Sequence, residues 1–264
     1  MLYSGRDAHS TGKAYVKTKW GLTDILERVN ETWSDRQGFR DMADAWEDMW
    51  ALRAWTPMEV EMARIEGREL VTLETPRNVA DMAKRLLGDQ FVIKCPAEDV
   101  DEGSYMAAEA RENFLKVLWQ QQTSYQDIDP FDALKWFAVV RGRVAMKVQW
   151  VYDVLPKAQR TYVPPIRMMP VDPKEIGVHR GELMPLWAFH RYDIQYRKFS
   201  QRYPGVNIEG ADEEDVIDLI DFWHTEPKSG AVWHSIIADE QFAVEPKRSR
   251  YPCIPIIERV CDPV

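Results

Sequence analysis

The hydrophobic period of this chain changes once, at Gly142, and that change constrains the fold more than any other feature. Before it, apolar residues recur at three- and four-residue spacing, the signature of helices with one buried face. After it, Val144, Met146, Val148, Trp150 and Tyr152 alternate with Ala145, Lys147 and Gln149, the signature of a half-buried strand. Helices first and strands afterwards imply an α+β fold, with amino-terminal helices packed on a mostly antiparallel sheet, rather than a doubly wound parallel sheet.

Punctuation residues place the helices. The first twenty residues are polar, lack periodicity and read as a flexible arm. Two helices follow to about residue 60. Ser34 with Gln37 three residues on predicts a capping-box start, and Phe39, Met42, Ala43, Trp46, Met49, Trp50 and Ala54 form a stripe ending near Trp55, before Pro57. Asp41, Asp44, Glu47 and Asp48 lie opposite that stripe, as on a solvated helix face. Thr75-Pro76 opens the next helix and Gly88 closes it, with Val79, Met82, Ala83, Leu86 and Leu87 inward. A short strand is expected at Phe91 to Lys94. An acidic loop follows from Glu98 to Glu102, and Ser104 is expected to cap a long helix burying Ala107, Ala110, Phe114, Val117 and Leu118. Asp129-Pro130 repeats the cap-plus-proline device, with Phe131, Leu134, Phe137 and Ala138 inside.

In the strand half, TYVPPIRMMPVDP reads as an edge strand or extended segment entering a turn at Asp172-Pro173, because proline cannot donate to a central ladder. Leu186 to Tyr192, Val216 to His224 and Ala231 to Ile237 are predicted strands, the last two joined as a hairpin through Pro227-Lys228-Ser229-Gly230. Asp193 to Tyr203 can be helical, Gly205 to Asp215 is an acidic loop, and YPCIPIIERVCDPV is extended.

A search for chemistry returns little. Neither GxxxxGK[ST], GxGxxG nor GxSxG occurs. The five histidines show no metal-ligand spacing, although His224 and His234 could approach across the hairpin. The nearest thing to a metal-dependent nuclease signature is Asp172-Pro173-Lys174-Glu175, and Asp-Pro there reads better as a turn. Three cysteines without a close pair read as reduced thiols. No catalytic, cofactor or metal residues are therefore assigned, and no cofactor is expected. A formal charge of −9 argues against a protein that coats phosphate backbones, while letting DNA move past without tight binding. Two basic groups, Lys247 with Arg248 and Arg250, and Arg197 with Lys198 and Arg202 beside Tyr196, Phe199 and Tyr203, suit a rim or partner contact. Eleven tryptophans are many for 264 residues, and such rings concentrate in cores and interfaces. Trp33, Trp46, Trp50 and Trp55 are the candidate subunit-interface residues.

From about Phe39 onward the chain resembles the portal proteins of tailed bacteriophages. The resemblance lies in the succession of FRDMADAWEDMWALRAWT, LVTLETPRNVADMAKRLLGDQFVIKCP, AAEARENFLKVLWQQQ, DPFDALKWFAVVRGRVAMKVQW, MMPVDPKEI, DVIDLIDFWH and PCIPIIE. It implies a wing-like α+β domain over residues 61–264, with Val144 to Trp150 a wing-sheet strand and Asp172-Pro173 the turn redirecting the chain. It further implies a non-enzymatic homo-oligomeric ring, usually a dodecamer, at the capsid portal vertex of the virion, made in the bacterial host cytoplasm. The implied partners are the major capsid protein, the packaging terminase, the tail adaptor and double-stranded DNA passing through, with no membrane. In that family the strand matching Pro252 to Ile257 leads into stem, clip and crown elements, so the sequence given is expected to be a fragment, a split product or a truncated relative. The alternatives are a metal-dependent phage DNA-processing nuclease using Asp172 and Glu175, and a minor capsid or adaptor protein.

Overall fold

The computed structural model describes residues 20–53, 55–88, 92–125, 129–151, 165–181 and 184–261. The chain is an α+β protein in which helices precede two antiparallel sheets. The expected arm and Tyr152 lie outside the described residues.

α1 (Leu22–Asp35) starts at Gly21, whose N–H donates to the Asp24 carboxylate at 3.2 Å. α2 (Gln37–Trp50) follows after Arg36 alone. Ser34 sits in the last turn of α1 and caps nothing, so the capping-box expectation is corrected. The stripe on α2 is buried at Phe39 and Ala43, while Met42 and Met49 are exposed. α3 (Pro57–Glu66) was not anticipated, although Thr56, Pro57 and Glu59 form a full capping box with proline in the first turn. α4 (Thr75–Leu86) and α5 (Glu102–Tyr125) come next. Residues 92–97 are irregular rather than a strand. Asp101 accepts from the Ser104 N–H at 2.9 Å, and the Ser104 hydroxyl instead accepts from the backbone of Glu98 and Asp99. The buried face of α5 is Ala108, Leu118, Trp119 and Gln122, a rotation from the expected one that leaves Phe114 and Val117 exposed. Gln122 fixes α5 to the sheet, donating to the Ile166 carbonyl at 2.7 Å and accepting from the Met168 N–H at 3.2 Å.

α6 (Pro130–Trp136) begins as expected, with Asp129 accepting from the Phe131 N–H at 2.8 Å. Its last turn widens into a π-helical segment, Phe137–Arg141, and Gly142 ends it at φ +65, a left-handed conformation that costs glycine least.

β1 (Arg143–Trp150) is the centre of a three-stranded sheet between β2 (Ile166–Val171) and β8 (Ile256–Val260). Its deeply buried positions are Ala145 and Lys147. Asp172-Pro173 forms the anticipated turn, a 3-10 segment (Pro173–Glu175) in which Asp172 accepts from the Lys174 N–H at 2.9 Å. The second sheet runs β3 (Ile176–Arg180), β4 (Pro185–Gln195), β5 (Val216–Thr225), β6 (Val232–Ala238), β7 (Gln241–Arg248) in sequence order. The hairpin of β5 and β6 is as expected; β3 and β7 were not assigned from sequence. α7 (Tyr196–Arg202) sits between β4 and β5 in sequence, and its Phe199 is fully buried.

Strand alternation splits the core into layers. One face of the five-stranded sheet, with Ala188 and Trp223, packs with Ala145, Val171 and Ile256 of the three-stranded sheet. The other, with Trp187, Phe189, Ile220, Phe222 and Ile237, packs on Ile25 and Val29 of α1. β3 passes so close to Phe189 that a Cβ on Gly177 would lie 2.2 Å from its ring. Gly177→Ala is expected to cost about 1–3 kcal/mol by overpacking. Urea unfolding checks this, and an unchanged midpoint would show that the ring moves aside freely.

Candidate functional site

Ion pairs join the layers, and they absorb most of the charged residues that could have served chemistry. Lys147 of β1 meets Asp221 of β5 between the two sheets, and Asp221 also bonds His234 Nε2 at 2.8 Å. Burial alone would raise the Asp221 carboxyl, but the Lys147 ammonium and the His234 hydrogen bond hold it well below the usual carboxylate range. Arg141, at the end of the π-helical segment, donates to the Ala43 carbonyl at 2.7 Å, to Glu47 at 2.6 Å and to Asp172 at 2.9 Å. Lys174 pairs with Asp44 of α2. The acidic face of α2 is therefore partly a docking face for the turn after β2, where a solvated face was expected.

Asp172 is thus bound to Arg141, and Glu175 to His190 at 3.1 Å. Among the described residues, no group of three or more His, Cys, Asp or Glu side chains could hold a metal ion. The β5–β6 register pairs His224 with Trp233 and Trp223 with His234, which puts the two histidines on opposite sheet faces. His224 stacks on Trp20 at 4.6 Å, and burial lowers its pKa to about 4. Tyr196, Phe199 and Tyr203 pack against the core around α7, so they are not a platform for stacking bases. Cys95, Cys253 and Cys261 form no disulfide. Among the described residues no helix is long and apolar enough to cross a membrane.

The four candidate interface tryptophans occupy different environments. Trp33 packs beside Phe189 under the guanidiniums of Arg40 and Arg191. Trp46 lies against Gly142, and Trp50 stands edge-on to Trp136 at 5.7 Å. Trp55 is exposed. The first three are engaged within the chain.

The largest unpartnered feature lies next to them. Of twenty-four large apolar side chains exposed among the described residues, seventeen fall between Trp55 and Val117. They include Met58, Met62 and Ile65 of α3, Val79, Met82 and Leu86 of α4, and Phe114 and Val117 of α5. The stripe expected inside on α4 is outside: Leu86 is 82% exposed and Leu87 also faces solvent. Sequence periodicity found this stripe but could not say what covers it. Isolated exposed apolar residues are ordinary, whereas this concentration falls on three consecutive helices. The chain matches no family model, and no curated protein matches it.

Proposed function

We propose that this protein is a structural subunit of a tailed-phage portal ring, contributing the wing-like part of a homo-oligomer at the capsid vertex. One observation carries the reading: among the described residues, helices α3 to α5 leave Met58, Met62, Ile65, Val79, Met82, Leu86, Phe114 and Val117 exposed, a concentration that suits contact with another protein surface. The segment order shared with portal proteins and the α+β architecture agree with it. Its partners in that role are further copies of itself, usually twelve, with the major capsid protein, the packaging terminase and the tail adaptor, and DNA passes through the ring without sequence-specific contact. The net charge of −9 suits a surface past which a polyanion slides. A nuclease centred on Asp172 and Glu175 is not favoured, because both carboxylates are already engaged by Arg141 and His190.

Electron microscopy and native mass spectrometry of the purified protein over a wide concentration range, with the expected stem, clip and crown part supplied, test the proposal. Closed rings are expected, with substitution of Met82 and Leu86 by glutamate weakening them. Monomers at every concentration would overturn it.

A further inference from the structure

An open cleft of about 510 Å³ lies where α1, β1, β3 and β8 converge. Four arginines border it, Arg36, Arg143, Arg180 and Arg259, with Asp35 and Glu258, in a chain whose formal charge is −9. The inner two arginines are committed. Arg36, 11% exposed, grips Glu258 through both terminal nitrogens at 2.9 and 2.5 Å, and Arg143 reaches the same carboxylate at 3.4 Å while lying over the Phe39 ring. The outer two are available. Arg180 is exposed and spends one nitrogen on the Glu258 backbone carbonyl at 2.6 Å, and exposed Arg259 makes no ion pair among the described residues. The bordering arginines outnumber the carboxylates of Asp35 and Glu258.

The complementary surface is the exposed run Asp212-Glu213-Glu214-Asp215. Its backbone is fixed, not loose: the Asp215 carbonyl accepts from Tyr196 N–H at 2.8 Å, the Glu213 carbonyl from Arg197 N–H at 3.2 Å, and Asp215 closes the turn on Asp212 N–H at 2.7 Å. Glu213 and Glu214 make no side-chain ion pair among the described residues. β4 separates the two surfaces: Arg180 is registered with Pro185 at one end, and Val216, directly after the run, with Gln195 at the other. Ten residues of strand put them roughly 30 Å apart, so one chain cannot join them.

We infer that the arginine cleft of one subunit receives the 212–215 acidic run of the next, a head-to-tail contact between copies. Such a contact uses two different patches and closes into a ring when the rotation allows. Because the backbone of both patches is held in place before they meet, docking orders side chains and not backbone. The inference rests on the ring reading above and names one joint of the ring.

Its test is sedimentation velocity of the whole chain at low and high salt. Three variants are compared with the wild type: Arg180→Glu with Arg259→Glu, Glu213→Arg with Glu214→Arg, and all four together. Arg36 and Arg143 are left alone because they hold Glu258, and circular dichroism checks folding. The wild type is expected to associate more weakly as salt rises. Each pair alone should weaken association by at least about tenfold, since like charges then face each other. The fourfold variant, in which the charges are exchanged, should recover it. Association that ignores both reversals overturns the contact and leaves the ring reading standing. Monomers throughout overturn both, and salt-sensitive association into open filaments supports the contact against a closed ring. Titration with inorganic phosphate reports on a different occupant: binding abolished by the Arg180/Arg259 reversal, with self-association unchanged, makes the cleft a free-anion site and overturns the proposal.

Discussion

Replacing Asp221 with alanine is expected to destabilise the fold by about 3–5 kcal/mol, because it strands a charge between two sheets. The Lys147 side chain is 3% exposed, and Asp221 is its ion-pair partner. Without it, the ammonium is left in a low-dielectric layer walled by Ala145, Trp223 and Ile256. Lys147→Met is expected to cost less, since Asp221 keeps its 2.8 Å bond to His234. A double-mutant cycle with Lys147→Met and Asp221→Leu, read by urea unfolding, separates the pair's coupling from its desolvation. The double variant should lie close to the wild type, as apolar replacement of buried ion pairs often does. A loss below about 1 kcal/mol for Asp221→Ala would show that Lys147 reaches water.

The second large effect is on acid stability. Burial depresses the His224 pKa from 6.5 to about 4, so between those values the unfolded chain binds a proton that the folded chain refuses. Stability from this residue is complete above pH 6.5 and is lost as pH falls toward 4, by about 3 kcal/mol in all. Among the described residues neither ring nitrogen of His224 has a hydrogen-bond partner. His224→Phe therefore keeps the stack on Trp20, removes a buried unpaired polar group, and should flatten the pH dependence in that window. Denaturation midpoints from pH 7.5 to 4.5 read it out, and an unaltered slope in the phenylalanine variant would assign the acid sensitivity elsewhere. Below this window Asp221 acts in the same direction, because a carboxyl held low in the folded state gives stability that protonation removes.

These two positions show what the interior is built to do. The layer between the sheets is tied by a Lys–Asp–His cluster, and the layer between α2 and the turn after β2 by Arg141 with Glu47 and Asp172. Buried ionic groups of this kind add less net stability than apolar packing would, and removing one partner is costly. They hold the two sheets and the helices in a defined register, which the proposed ring role would require.

Much of the local structure was legible in the residues. Asp129-Pro130 started a helix, Gly142 ended one in the left-handed conformation, Asp172-Pro173 turned the chain, and two aromatic and β-branched runs either side of Pro227–Gly230 made the hairpin. These succeed because caps, φ restrictions and period-two patterns act within a few residues. α3 carries its own signal as well, in the capping box of Thr56 and Glu59. The short strands β3 and β7 carried too weak a pattern to be read alone, and their pairing with β4 and β6 makes them strands.

Burial was another matter. The periodicity of α4 identified an apolar stripe, but whether a stripe is core or surface depends on what stands opposite, and here nothing in the described chain does. Likewise alternation placed Lys147 on one face of β1 without saying what that face meets, and its burial follows from Asp221, seventy-four positions away in sequence, arriving across the gap between sheets. Sequence by itself determined where elements begin, end and change type, because those choices are set by neighbouring backbone and side chains. Only the tertiary structure decided which faces are dry and which charges meet, because desolvation and Coulomb energy depend on distances between residues remote along the chain.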